Sequence, residues 1–327
     1  MSEEAKGAIP MQEAHPRTSP RQLRKRDANG SASTLQPRLA AFHELHGKDS
    51  WRYLADNDYI KTGYRVNHTV SDALASLFRV HNESINVWTH LIGAIAFGIL
   101  LCLIALWAHL PGFDPEAGHH AHDSSAPARW PIAVFVASAM VCLAGSAAFH
   151  LLHVVSRDLL DWLQSIDYGG IAILIAGSTV PIVEYGWACS PRIAATYIVA
   201  CVAIAAVTAF VGGSKTFRSA AWRPLRVACF IATGCFGVVP WAHLRSTGQS
   251  VFREDTMPRL LVMGALYIGG ALLYAARLPE RLSKSGRFDV LLASHQIFHV
   301  CVLAACIVHY TTVLSIYEWR AANKCPE

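Results

Sequence analysis

The chain has 327 residues, 53% of them hydrophobic and only 16% charged, where an average soluble domain carries about a quarter charged residues. That balance excludes an ordinary soluble globular protein. The formal net charge of +5, crowded into the N-terminal part and a few connectors, is a matter of membrane topology and not of nucleic-acid binding.

Met1-Ser2-Glu3-Glu4-Ala5-Lys6 opens a polar stretch without the apolar core of a cleavable signal, so the first span must itself direct insertion. The sequence to about Arg38 is rich in Pro, Ser and charge and lacks apolar periodicity; residues 1–49 are assigned to a disordered cytosolic tail. Its basic cluster of Arg21, Arg24, Lys25 and Arg26 is a solvated patch or a weak anchor on an anionic leaflet. Residues 50–87 form a juxtamembrane amphipathic segment. There Trp51-Arg52-Tyr53 interleaves aromatics with charge as interfacial chains do, and Ser71 to Asn86 predicts a short helix with Leu74, Leu77 and Phe78 on one side.

Seven apolar runs follow within residues 88–316: Trp88 to Leu110, Pro131 to Val155, Ile166 to Gly186, Ile193 to Val211, Val227 to Leu244, Leu260 to Ala276, and Val290 to Leu314. Most approach the roughly 20 residues a helix needs to cross the hydrocarbon. Pro181 and Pro240 are expected to kink their spans. With the tail inside, the inner loops hold nine cationic residues (Arg157, Lys215, Arg218, Arg223, Arg226, Arg277, Arg281, Lys284, Arg287) against five outside (Arg129, Arg192, Arg245, Arg253, Arg259). This bias places the N-terminus in the cytosol and the C-terminal tail, 317–327, outside. Of the nine cysteines, seven lie in apolar runs and no CxxC pair occurs, which predicts buried thiols and no disulfide framework. The first outer loop carries His119, His120 and His122, a tract able to bind metal but with little preorganisation.

Ionisable side chains inside the membrane demand partners, because exposing one at the helix centre costs about 2.5–3.5 kcal/mol. His295 and His299, one turn apart, share a helix face and offer two ligands for a metal ion. On the topology above, His150 and Asp167 lie at the same inner depth. Three histidines with a fourth position left to water is the arrangement of catalytic zinc; Asp167 could hold the water and Ser146, one turn before His150, could bond a ligand or substrate. His153 is a rival ligand or an interfacial side chain, and a metal-free polar network is the plainer alternative. The polar group Asn82, Glu83, Asn86 and His90 reads as a cap and anchor at the start of span one.

Four stretches, His81-Asn82-Glu83-Ser84-Ile85-Asn86-Val87-Trp88-Thr89-His90, Ser146-Ala147-Ala148-Phe149-His150, Asp167-Tyr168-Gly169-Gly170-Ile171 and Ser294-His295-Gln296-Ile297-Phe298-His299, resemble the signature motifs of the progestin and adipoQ receptor family, the haemolysin III-related membrane proteins. The likeness covers residues 50 to 320, and Tyr274-Ala275-Ala276-Arg277-Leu278-Pro279-Glu280-Arg281 is similar to the adiponectin-receptor branch with its fungal members. The resemblance implies an all-α membrane protein of seven transmembrane helices in the plasma membrane or endoplasmic reticulum, with a cytosolic N-terminus and a zinc ion near the inner leaflet. By motif the ligands are His150, His295 and His299, with Asp167 on the zinc-bound water and Ser146 beside it as catalytic residues. It further implies hydrolysis of ceramide-type lipid amides in lipid metabolism and signalling, membrane lipids and an extracellular protein ligand as partners, or alternatively a non-enzymatic receptor or regulator of lipid, sterol and zinc homeostasis with structural zinc.

Overall fold

The computed structural model describes residues 25–26, 32–33, 36–109, 127–217, 219–247, 253–283 and 285–325. The histidine tract at 119–122 and the basic residues Arg21 and Arg24 lie outside them. The chain divides into two compact units, Met1–Gln36 and Pro37–Glu327. In the first, β1 (Lys25–Arg26) pairs antiparallel with β2 (Ala32–Ser33).

The second unit opens with β3 (Arg38–Ala40), α1 (Phe42–His46) and β4 (Tyr64–Val66), the strands pairing antiparallel with Ala40 opposite Tyr64. The ordered structure thus begins before residue 50, earlier than composition suggests. The reason is a small satellite core: Leu45, Trp51, Leu54, Ile60, Tyr64 and Val66 pack with Val154 and Ala293, so this segment is held on the ends of two membrane helices. The expected helix over Ser71 to Asn86 is interrupted. A capping box between Thr69 and Asp72 starts α2 (Val70–Ala75), a single 3-10 turn follows at Ser76–Phe78, and the chain leaves helical geometry at Arg79. Leu74 and Phe78 nevertheless stay exposed, as an interfacial face requires.

The membrane part is α3 (Ser84–His109), α4 (Trp130–Leu152), α5 (Arg157–Gly186), α6 (Pro191–Gly213), α7 (Arg223–Cys235), α8 (Val238–Ser246), α9 (Thr256–Ala276) and α10 (Ser294–Ala322). These supply seven helices long and apolar enough to cross a membrane, with α7 and α8 together forming the fifth. Prolines stand in the first turns of α4, α6 and α7, where a missing N–H has no helical partner to lose. Ser156 caps α5 through Leu159 N, so the third span starts well before Ile166. The seventh begins at Ser294 and not at Val290, because the preceding loop turns through positive φ at Gly286 and Leu292.

The two prolines differ from one another. α5 runs unbroken through Pro181. The fifth span breaks one turn before Pro240: that residue cannot donate to the Phe236 carbonyl, which accepts from Val239 N at 2.9 Å, and the chain steps from α7 to α8 at Phe236 and Gly237. Close approach of α4 to α5 needs Gly177, since a Cβ there would lie 2.0 Å from Ser138 Oγ.

α10 is the central helix, packing on α9, α3, α4 and α5. Phe97, Phe135, Leu143, Leu174, Val302 and Cys306 form the core between them. On α3 the exposed residues Ile92, Ile95, Ile99, Leu103 and Leu106 repeat at helical spacing. Such a stripe is what a face turned to lipid requires.

One expectation about cysteine fails. Cys189, just after α5, and Cys325, just after α10, form a disulfide. They are 136 residues apart, and only the fold brings the ends of α5 and α10 to one membrane face. The other seven described cysteines are free, with Cys142, Cys201 and Cys306 buried and Cys102 and Cys235 exposed.

Candidate metal centre

Two helix ends build the site. His150 sits two residues from the C-terminus of α4, and His295 and His299 occupy the first turns of α10. His295 Nε2 lies 3.1 Å from His150 Nε2 and 3.1 Å from His299 Nε2, and the three ligand atoms all lie within 4.8 Å of one another. His150 and His299 are buried, at 3% and 2% exposure.

The hydrogen bonds behind these rings decide what lies between them. His150 Nδ1 is 2.7 Å from Glu83 Oε2, and His299 Nδ1 is 3.2 Å from the Asn86 carbonyl. Both partners accept only, so both Nδ1 atoms carry the proton, and in the neutral ring both Nε2 atoms are left as lone pairs. His295 Nε2 has one proton at most to share between two such neighbours. Lone pairs converging at this distance suit a cation. Two nitrogens held at about 2.0–2.1 Å by one tetrahedral ion lie about 3.3 Å apart, close to the 3.1 Å from His295 to each of the other two. The donor set therefore fits a divalent metal better than a closed network of hydrogen bonds.

The surrounding polar residues set the rings. Asn86 Nδ2 donates to Glu83 Oε2 at 2.6 Å, and the Glu83 amide donates to His81 Nδ1 at 3.1 Å. Burial, with Arg65 nearby, pushes His81 down to about 3, so the ring is neutral and free to accept. At the end of α4, Arg65 donates to the His150 carbonyl at 2.6 Å, to the Leu151 carbonyl at 3.0 Å and to Ser76 Oγ at 2.7 Å. It caps the orphan carbonyls of the helix that carries His150. Its burial lowers the guanidinium to about 10, still charged at neutral pH. At the start of α10 the buried Glu280 accepts from Ser294 N at 2.7 Å and from Ser294 Oγ, and Asn57 Nδ2 donates to it at 3.1 Å. Gln296 closes a capping box on Ala293 N at 3.2 Å and donates to the Asn82 and Val290 carbonyls.

Asp167 from α5 and Ser146 from α4 line the same cavity. The Asp167 carboxylate is not part of the three-histidine cluster, which leaves it free to hold a water or substrate atom. His153 also stays outside the cluster and turns Nδ1 to the Phe149 carbonyl of its own helix at 3.1 Å. His90 stacks on His299, with ring centroids 3.7 Å apart.

Glu83 is the main correction to the sequence reading, which took it for an interfacial cap. Its carboxylate reaches His150 across 67 residues of chain, and the only hint was the company of Asn86 and His90. Nothing in the pattern around Tyr64-Arg65-Val66 marks Arg65. Glu83→Gln should keep the fold but lower metal affinity about 10–100-fold, the usual result of losing a carboxylate behind a ligating histidine; metal competition with a chromophoric chelator reads this out, and unchanged affinity would remove Glu83 from the site.

The cavity in front of the histidines has a volume of about 1010 Å³ and a mostly apolar lining from α5, α7, α9 and α10. The family model described as haemolysin-III related matches residues 78–310, which include the site residues from His81 to His299 but not Asn57, Arg65 and Ser76. The chain belongs to the haemolysin-III-related family. Within it, this protein is adiponectin-receptor-like. It is 38% identical over 277 residues to Heptahelical transmembrane protein 1 of Arabidopsis thaliana, which covers 84% of this chain and 81% of that one. It is 36% identical over 287 residues to Adiponectin receptor protein of Drosophila melanogaster, covering 86% of this chain but 61% of the relative. The fungal ADIPOR-like receptor IZH1 of Eremothecium gossypii is 31% identical over 305 residues, 91% of each chain.

Proposed function

We propose that this haemolysin-III-related protein binds one zinc ion through His150, His295 and His299 and hydrolyses the amide bond of ceramide-type lipids, in lipid metabolism and signalling. The observation that carries the reading is the convergence of three Nε2 atoms, those of His150 and His299 fixed from behind by Glu83 and Asn86, at the wall of a large apolar cavity that Asp167 and Ser146 also line. A bound zinc ion supplies Lewis acidity toward a carbonyl oxygen and lowers the pKa of water toward about 7. Asp167 orients the water and takes its proton. Ser146, which lines the same cavity, is placed to bond the substrate or the water beside Asp167. As water oxygen joins the carbonyl carbon and the C–N bond breaks, Asp167 returns the proton to the departing amine, leaving a fatty acid and a free amine. The apolar walls suit two long chains and exclude soluble amides.

The same reading sets the N-terminus in the cytosol and the C-terminus outside, in the plasma membrane or endoplasmic reticulum. The Cys189–Cys325 disulfide supports it, since disulfides persist on the oxidising side, and α5 runs from beside His150 to Cys189 across the bilayer. The names of the receptor relatives support a second role, in which the zinc holds α4 and α10 together and an extracellular protein ligand acts on the bundle.

Asp167→Asn separates the two. It keeps size and hydrogen bonding but removes the base. The hydrolase reading expects retained zinc and a roughly hundredfold fall in fatty-acid release from ceramide by purified protein. No fatty acid from any sphingolipid amide, with zinc bound and the wild-type fold intact, refutes hydrolysis and leaves the receptor role.

A further inference from the structure

The loop between α9 and α10 keeps its acids inside and its bases outside. Glu280 and Asp289 are 1% and 4% exposed. Glu280 accepts from Ser294 and Asn57, and Asp289 accepts from Lys61 N at 2.9 Å and Thr62 Oγ1 at 2.7 Å. Arg281 and Arg287 are exposed instead, and neither side chain pairs with a described residue. Beside them Leu282, Leu291 and Leu292 are 81%, 56% and 55% exposed. The outer surface of the loop is therefore cationic and apolar, with no acid to neutralise it.

The loop is also held in shape. Gln296 Nε2 donates to the Val290 carbonyl at 2.9 Å and its Oε1 accepts from Ala293 N at 3.2 Å, so one side chain brackets Leu291 and Leu292. Leu292 has a φ of 64°, a backbone region that a bulky residue rarely enters. Gln296 Nε2 donates to the Asn82 carbonyl as well, at 3.2 Å, which lays the segment before α3 alongside the loop. That segment repeats the pattern: Phe78 and Val80 are 82% and 69% exposed, with the exposed Arg79 between them.

A surface of this kind fits a partner that is apolar beneath and anionic on top. Leu292 is followed within two residues by the first turn of α10, a membrane span whose Val300 and Ile307 are exposed further along. The neighbour of the loop is then the edge of the bilayer, where acyl chains lie under headgroups and an arginine can keep its stem in one and its charge in the other. We propose that the α9–α10 loop, together with Phe78–Val80, is a docking surface for anionic phospholipid: Leu291, Leu292 and Phe78 enter the acyl boundary, and Arg79, Arg281 and Arg287 hold the headgroups. On the topology proposed above this is the cytosolic leaflet; the lipid chemistry itself does not depend on that reading. Leu292 is three residues from His295, so the charge of the leaflet bears on the end of α10 that carries two of the metal ligands.

The test follows hydrogen–deuterium exchange of the purified full chain in nanodiscs of phosphatidylcholine alone and of phosphatidylcholine mixed with phosphatidylserine. Amides of residues 287–292 should exchange about fivefold more slowly with phosphatidylserine, the worth of one arginine at an anionic surface, and high salt should shrink the difference. Arg79→Gln/Arg281→Gln/Arg287→Gln should exchange at one rate in both lipids, with an unchanged thermal midpoint in phosphatidylcholine. Leu291→Ser/Leu292→Ser should exchange faster in both. A phosphatidylserine effect that survives in the triple arginine variant overturns the proposal. Equal rates in the two lipids for the wild type overturn it too and leave the face to a protein partner. Nanodiscs present the same lipid on both faces, so a reversed topology would change none of these results.

Discussion

Purified His295→Ala/His299→Ala protein should contain almost no zinc, where the wild type should contain about one ion per chain, and its thermal midpoint should fall by about 10 °C or more. Two of the three converging Nε2 atoms are gone, and a single imidazole does not hold the ion. Metal bound only to the folded state stabilises it by mass action, and structural zinc in small peptides contributes on the order of 10–16 kcal/mol. Losing half of that would move the midpoint by tens of degrees at about 2–4 °C per kcal/mol; the smaller figure allows for relief of lone-pair crowding when the rings are removed. His153→Ala is the control, because that ring faces its own helix. It should leave zinc content unchanged. Full zinc occupancy in the double variant would put the metal elsewhere.

Arg65→Met should be nearly as damaging, though the Arg65 side chain bonds none of the three imidazole rings and does not line the cavity. Its guanidinium satisfies two carbonyls at the end of α4 and the Ser76 hydroxyl, all within the protein. Methionine fills much of the volume but leaves these acceptors without donors, at a cost of about 1–3 kcal/mol for each that water does not reach. The last turn of α4 then frays, and His150 goes with it. A midpoint lowered by about 5–10 °C and a roughly tenfold weaker affinity for zinc should appear together. Arg65→Lys should rescue little, since one ammonium cannot span both carbonyls in the fork geometry that a guanidinium matches. A stable Arg65→Met protein with wild-type zinc affinity would show that α4 ends firmly without this cap.

The fold was legible where hydropathy decides. Seven apolar runs became seven membrane helices, because in lipid every backbone group must be satisfied within the span. Their ends were less legible, since caps made across the chain set them: Ser294 is tied to Glu280, and the loop before it to Thr62 through Asp289. Pro240 shows the same limit in another form. The proline was visible, but the break falls at Phe236 and Gly237, where the carbonyl it cannot pair accepts from Val239 N instead.

The three histidines were legible for a physical reason, namely that imidazoles at one depth in a membrane require each other. Their supports were not. Glu83 and Arg65 lie in segments whose local text reads as an interfacial cap and a short strand, and only tertiary contact turns them toward His150. The disulfide was missed because two cysteines 136 residues apart carry no spacing signal.

The most direct test is X-ray absorption at the zinc edge of protein purified from metal-replete medium without chelator. The expected spectrum has nitrogen and oxygen scatterers at about 2.0–2.1 Å with the outer-shell pattern of three imidazoles, and that pattern disappears in His295→Ala/His299→Ala. Zinc absent from the purified wild type, or sulfur scatterers at about 2.3 Å from the cysteines instead, would contradict a metal held by His150, His295 and His299.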